Sequence, residues 1–102
     1  MNDPTDLAIP ARPIVLVDDD RAILDVGASF IHLMLGAPVR CFDSPLDALR
    51  HFQAHPDDRS LVITDFDMPG MNGAELVRAM RERAPELEAI VFSGRSEEDA
   101  VE

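Results

Sequence analysis

Leu61-Val62-Ile63-Thr64-Asp65-Phe66-Asp67-Met68-Pro69-Gly70-Met71-Asn72-Gly73 is the stretch that decides the fold. An apolar, partly β-branched run, Leu61 to Thr64, has strand character and leads straight into a carboxylate. A Pro-Gly turn follows, and Asn72 has the chemistry of a helix N-cap, with Glu75 three residues on to close a capping box. Strand, turn and helix in that order make half of a βαβ unit, which places Asp65 at the carboxyl end of a parallel strand, where α/β sheets keep their ligands. An earlier run repeats the arrangement: Pro13-Ile14-Val15-Leu16-Val17 leads into Asp18-Asp19-Asp20. Two apolar strands ending in acids predict one acidic pocket at the top of a single sheet.

The remaining chain supplies the elements between and beyond these two. A helix is predicted from about Arg21 to Leu35, with Ile23, Val26, Gly27, Phe30 and Met34 at helical spacing and expected to face the sheet. Gly36 is placed as its C-cap, and Pro38 blocks continuation. Val39-Arg40-Cys41-Phe42 reads as a short edge strand. Ser44 then caps a second helix, with Pro45 at its first position, Asp47 closing a capping box, and Ala48, Leu49 and Phe52 as its apolar stripe. The third helix is predicted from about Gly73 to Arg83, burying Leu76, Val77 and Met80, and Ala89-Ile90-Val91-Phe92 is the fourth strand. Such β-α-β-α-β-α-β alternation implies right-handed crossovers and a parallel sheet with helices on both faces. Ser93-Gly94 leaves the fourth strand, and Ser96 with Asp99 predicts a further helix from near Glu97.

With 102 residues, the chain has room for one domain and one modest core. It carries 20 acids against 9 bases, a net charge of −11, and every base is arginine. That balance argues against nucleic-acid binding by this segment, because phosphate neutralisation needs a basic face. It suits cations and basic partner surfaces. The single cysteine, Cys41, excludes an internal disulfide and is expected as a small buried hydrophobe. No apolar run approaches a membrane span, and residues 1–12 have the prolines and acids of a flexible tail rather than a signal peptide. A cytoplasmic location is the expectation.

Several carboxylates at adjacent strand ends resist ionising together, and a cation relieves them. With oxygen ligands alone, Mg2+ is the natural occupant. It gathers phosphoryl oxygens and lets a neighbouring carboxylate attack phosphorus. Ser93, at the end of the fourth strand, is placed for its hydroxyl to report on the new group. Taken singly each feature has a plainer reading: Asp18 to Asp20 as a turn whose last acid caps the first helix, Met68 to Gly73 as a simple connection, Ser93 as ordinary loop chemistry. Asp20 is read as a cap rather than a ligand.

Together, Val15-Leu16-Val17-Asp18-Asp19-Asp20, Asp65-Phe66-Asp67-Met68-Pro69-Gly70-Met71-Asn72-Gly73 and Val91-Phe92-Ser93-Gly94 resemble the receiver domain of two-component response regulators. The resemblance spans residues 13–102. It implies a flavodoxin-like doubly wound parallel sheet of order 2-1-3-4. By the same resemblance Asp65 accepts a phosphoryl group from a histidine kinase or phosphotransfer protein. Mg2+ is held directly by Asp19 and Asp65, with Asp18 acting through water and Asp67 through its backbone carbonyl, and Ser93 is the hydroxyl switch. Catalysis would be limited to the protein's own phosphorylation and dephosphorylation. Receivers continue through a fourth helix, a fifth strand bearing a lysine, and a fifth helix. This chain contains no lysine and ends in the expected fourth helix, so the fifth strand and helix are missing. A fragment, or a natural short form that pairs with another chain, would both account for that. Either leaves the fourth strand as an apolar edge open to homodimerisation or other association.

Two other functions are weighed. One is a docking or dimerisation module that works without phosphorylation, consistent with the missing lysine. The other is a haloacid-dehalogenase-type phosphatase, which also opens on a strand followed by D-x-D. Pro69, the upstream position of the acid pair and the missing lysine motif count against the phosphatase. His32, His51 and His55 fall away from the strand tips and are read as surface residues.

Overall fold

The computed structural model describes residues 12–93. In chain order these form β1 (Ile14–Val17), α1 (Arg21–Leu35), β2 (Val39–Phe42), α2 (Pro45–Ala54), β3 (Leu61–Asp65), α3 (Gly73–Met80) and β4 (Ala89–Phe92). The four strands make one parallel sheet in the order β2-β1-β3-β4, the expected topology. The region predicted to hold a further helix near Glu97 lies outside the described residues.

Local chemistry sets the boundaries. The Asp20 side chain caps α1 by accepting from the amides of Ala22 and Ile23, and Gly36 ends the helix at φ 68°. A left-handed backbone is open to glycine at no steric cost. Ser44 caps α2 ahead of Pro45, and Asn72 and Glu75 form a full capping box on α3. That last helix is shorter than predicted: it ends at Met80, and Arg81–Arg83 form turns. β3 runs one residue further than predicted, so Asp65 itself belongs to the strand.

On one face of the sheet, Val15, Val17 and Val62 pack beneath α2 and α3 through Ala48, Leu49, Phe52, Leu76, Val77 and Met80. This is the main core. The other face carries only α1 among the described residues, and here the structure departs from the sequence reading. Leu24 is buried and Gly27 lies against Leu16, where an added Cβ would come within 3.2 Å of Leu16 Cδ2. By contrast Ile23, Val26, Phe30 and Met34, expected to face the sheet, are exposed. The helix is apolar on more of its circumference than one sheet contact can cover, so spacing alone picked the wrong sector. Cys41, expected to be buried, is exposed: β2 is an edge strand, and α1 meets it across an open cleft lined by Arg21 and Asp25 rather than packing over the thiol.

His51 also departs from the surface assignment. It is half-buried between Phe42 and Phe52, and its Nε2 lies 2.7 Å from Asp58 Oδ2. Asp58 Oδ1 accepts from both the amide and the hydroxyl of Ser60, closing the loop into β3. Burial pushes the Asp58 carboxyl up, but the hydrogen bonds from His51 and Ser60 outweigh it and hold it below its ordinary value. A carboxyl depressed in the folded state contributes stability that is complete above its unfolded value and is lost as pH falls through the folded one. Urea unfolding across the acid range should therefore show a loss of stability that Asp58→Asn flattens, with the variant weaker by about 1–2 kcal/mol at neutral pH.

Candidate functional site

Parallel pairing brings the acids together. β1 and β3 are in register from Ile14 opposite Leu61 to Val17 opposite Thr64, so Asp18 and Asp65 both follow at the same end of adjacent strands. Asp18, Asp19 and Asp65 each present a carboxylate oxygen, all within 4.8 Å of one another. They differ in exposure: Asp18 is 1% accessible, Asp65 half-buried and Asp19 exposed.

Asp18 is held rather than free to turn away. Its amide donates to the Phe42 carbonyl, and its Oδ1 accepts from the Asp20 amide at 2.9 Å. Oδ2 is buried with no hydrogen-bond partner. Burial raises its carboxyl above the ordinary value; the Asp20 amide opposes this, and the charges of Asp65, Asp19 and Asp20 add to it. A buried carboxylate with one unpartnered oxygen, brought within reach of two further carboxylates, is the donor set of a hard divalent cation, and the residues present fit Mg2+.

Asp65 is fixed from its own side. The Asp67 amide lies 3.3 Å from Asp65 Oδ1, and the Thr64 hydroxyl donates to the Asp65 carbonyl at 3.0 Å. The Phe66 amide donates to the Phe92 carbonyl and the Gly73 amide to the Phe66 carbonyl, which ties β4, the strand end and α3 together. Gly70 takes φ 85° in the turn. Gly73 answers a different need: a Cβ there would sit 2.4 Å from the Asp65 carbonyl oxygen, so only glycine lets α3 start this close to the strand.

Of the site residues read from sequence, Asp18, Asp19 and Asp65 come together, and Asp67 lies in the same turn with its amide toward Asp65. Ser93 follows Phe92, the residue paired with Asp65, at the same end of the sheet. Asp20 is a helix cap. Two participants were missed as such: the Thr64 hydroxyl, hidden in what read as an apolar strand, and the close backbone approach at Gly73, which read only as a turn glycine.

Three comparisons with known proteins bear on the chain. The family model for the response regulator receiver domain matches residues 14–102. The transcriptional activator protein ExaE of Pseudomonas putida is 39% identical over 85 residues, 81% of this chain and 39% of that protein. The chain thus spans well under half of this curated relative. A response regulator receiver domain protein from Clostridium thermocellum superposes with a TM-score of 0.74 at 27% identity, covering 87% of this chain and 70% of that one. The CheX-CheY-BeF3-Mg2+ complex from Borrelia burgdorferi shares the fold at a TM-score of 0.75 and 21% identity, over 95% of this chain and 72% of that chain.

Two substitutions probe the site's construction. A carboxyl raised in the folded state is most favourable when protonated, and its contribution is lost as pH rises through the folded value. In EDTA at neutral pH, Asp18→Asn should therefore be more stable to urea than the parent, by about 1 kcal/mol. Gly73→Ala should cost about 2 kcal/mol or more in the same measurement, because the added carbon meets backbone rather than a flexible side chain.

Proposed function

The chain belongs to the response regulator receiver domain family, and from that premise we propose that it is the phospho-acceptor module of a two-component relay, with Asp65 as acceptor. The observation that carries this reading is the convergence of Asp18, Asp19 and Asp65, with Asp18 Oδ2 buried and unsatisfied. The donor is a phosphohistidine on a histidine kinase or phosphotransfer protein. An Asp65 carboxylate oxygen forms the new bond to phosphorus as the phosphorus–nitrogen bond of the donor breaks. The electron pair returns to the donor imidazole, which takes up a proton.

The residues that would hold Mg2+ are Asp18, Asp19, Asp65 and the backbone carbonyl of Asp67. When bound, the ion would supply the positive charge that lets the acids and the phosphoryl oxygens share one site. The protein's own contribution is position. The Asp20 amide at the start of α1 and the Phe42 carbonyl fix Asp18, while the Asp67 amide and the α3 approach fix Asp65. Ser93, beyond the residue paired with Asp65, would donate its hydroxyl to a phosphoryl oxygen and so bias the end of β4 between two arrangements. The module acts on its own acyl phosphate and turns over no separate substrate. Its net charge of −11 supports a protein partner over nucleic acid for this segment. No helix among the described residues is long and apolar enough to cross a membrane, and a cytoplasmic location suits a kinase-fed relay.

A second reading, docking without phosphorylation, is favoured by one observation: β4 pairs on one side only among the described residues, and Ile90 and Val91 on it are exposed. Incubation with Mg2+ and acetyl phosphate separates the two. Phosphorylation predicts a mass gain of one phosphoryl group, stable in acid and labile in base, abolished by EDTA and by Asp65→Asn. No gain where a full-length receiver reacts would favour docking. Turnover of many equivalents of a phosphate ester would point to a phosphatase.

A further inference from the structure

The end of α2 and the loop after it bring two imidazoles and a carboxylate to one place. His51 and His55 are four residues apart, the spacing that sets two side chains over one another on a helix, and their ring centroids lie 4.9 Å apart. The His55 amide donates to the His51 carbonyl, closing the last turn over that spacing. The chain then reverses at once. The Asp58 amide donates to the His55 carbonyl at 3.1 Å across a tight turn, with Pro56 at its first central position, where a fixed φ is favourable. This returns Asp58 Oδ2 to within 2.7 Å of His51 Nε2.

The carboxylate is aimed as well as placed. Ser60 sends both its bonds to Asp58 Oδ1, from the amide at 2.8 Å and from the hydroxyl at 2.7 Å, and leaves Oδ2 to the histidine. Phe42 and Phe52 steady the His51 ring. Partners that fix one atom of a ligand and free the other are how proteins orient side chains around a metal. The His51–Asp58 pair closes the loop into β3 without help from His55. That third side chain is exposed, yet it stacks on His51.

We propose that His51, His55 and Asp58 hold a borderline divalent transition metal, Zn2+ being the expected occupant. Two imidazoles and one carboxylate are the donor set of open zinc sites, with water in the fourth position. The all-oxygen set suited to Mg2+ lies at the other end of β3, about 15 Å away at the rise of a strand. On binding, the Nε2 proton of His51 leaves to solvent and the ion takes its place. Nε2 and Oδ2 then move apart to about 3.3 Å, the ligand separation around a tetrahedral ion bonded at about 2.0–2.1 Å. His55 turns a nitrogen to the ion from the exposed side, and Asp58 Oδ1 keeps both Ser60 bonds. Asp57 in the same turn and a net charge of −11 favour a cation here. Arg40 lines a cleft with Asp58 and Ser60, while the ion pair of Asp58 is with His51.

Calorimetric titration of the chelator-stripped 102-residue chain with ZnCl2 tests this, with Cys41→Ser to remove the thiol and excess Mg2+ to occupy the acid cluster. One equivalent is expected to bind at about 10 μM or tighter. His55→Ala and Asp58→Asn should each weaken it ten-fold or more, since even partners outside the ligand shell cost about that much. Asp65→Asn should leave it unchanged. His55 is exposed, so its removal keeps the fold, which circular dichroism checks. Zn2+ should also raise the Tm of the parent and not that of His55→Ala. The inference is overturned by the lack of saturable binding beside Mg2+, by a site that survives His55→Ala, or by one that disappears with Asp65→Asn. Zinc that only bridges two chains, seen as a metal-dependent dimer in sedimentation velocity, overturns it too.

Discussion

The mutual repulsion of carboxylates held at the ends of β1 and β3 is the constraint on which the upper half of the molecule depends. Parallel pairing from Ile14–Leu61 to Val17–Thr64 leaves Asp18 and Asp65 no choice but to emerge together. Separating them would break a strand ladder whose side chains form the core. The fold therefore accepts the unfavourable meeting and contains it: an amide donor for one Asp18 oxygen, an amide beside Asp65, and exposure for Asp19. The second Asp18 oxygen has no such relief. Carboxylates held this close together favour a cation that neutralises them, which is the thermodynamic basis for reading the cluster as a metal site.

Much of this was legible from local chemistry. Caps announce themselves because a side chain must meet an orphan amide: Asp20, Ser44 and Asn72 all stand where their residue types predicted. Strand order followed from alternation, and the acid cluster from two strands ending alike. What failed did so where a neighbour decides the outcome. Cys41 looked buried because cysteines usually are, yet an edge strand exposed it. His51 looked superficial because it falls away from the strand tips, yet Phe42, Phe52 and Asp58 enclose it. The closeness of Gly73 to the Asp65 carbonyl, which leaves no room for a Cβ, has no signature in one sequence beyond glycine itself.

The first helix is the instructive error. Ile23, Val26, Gly27, Phe30 and Met34 form a good helical stripe, and a stripe was taken to mean contact with the sheet, which of these only Gly27 makes. Leu24, Gly27, Ala28 and Ile31 form an equally good one, built around a glycine that lets the backbone approach Leu16. With two apolar stripes on one helix, periodicity does not say which of them meets the sheet.

The contact between Gly73 and the Asp65 carbonyl also has a mechanical meaning. With no space between them, and with the Gly73 amide bonded to the Phe66 carbonyl, the end of β3 and the first turn of α3 form one stiff unit. The Phe66 amide's bond to the Phe92 carbonyl ties the same strand end to β4, so residue 65 sits at a junction where strand, helix and neighbouring strand are joined through backbone alone.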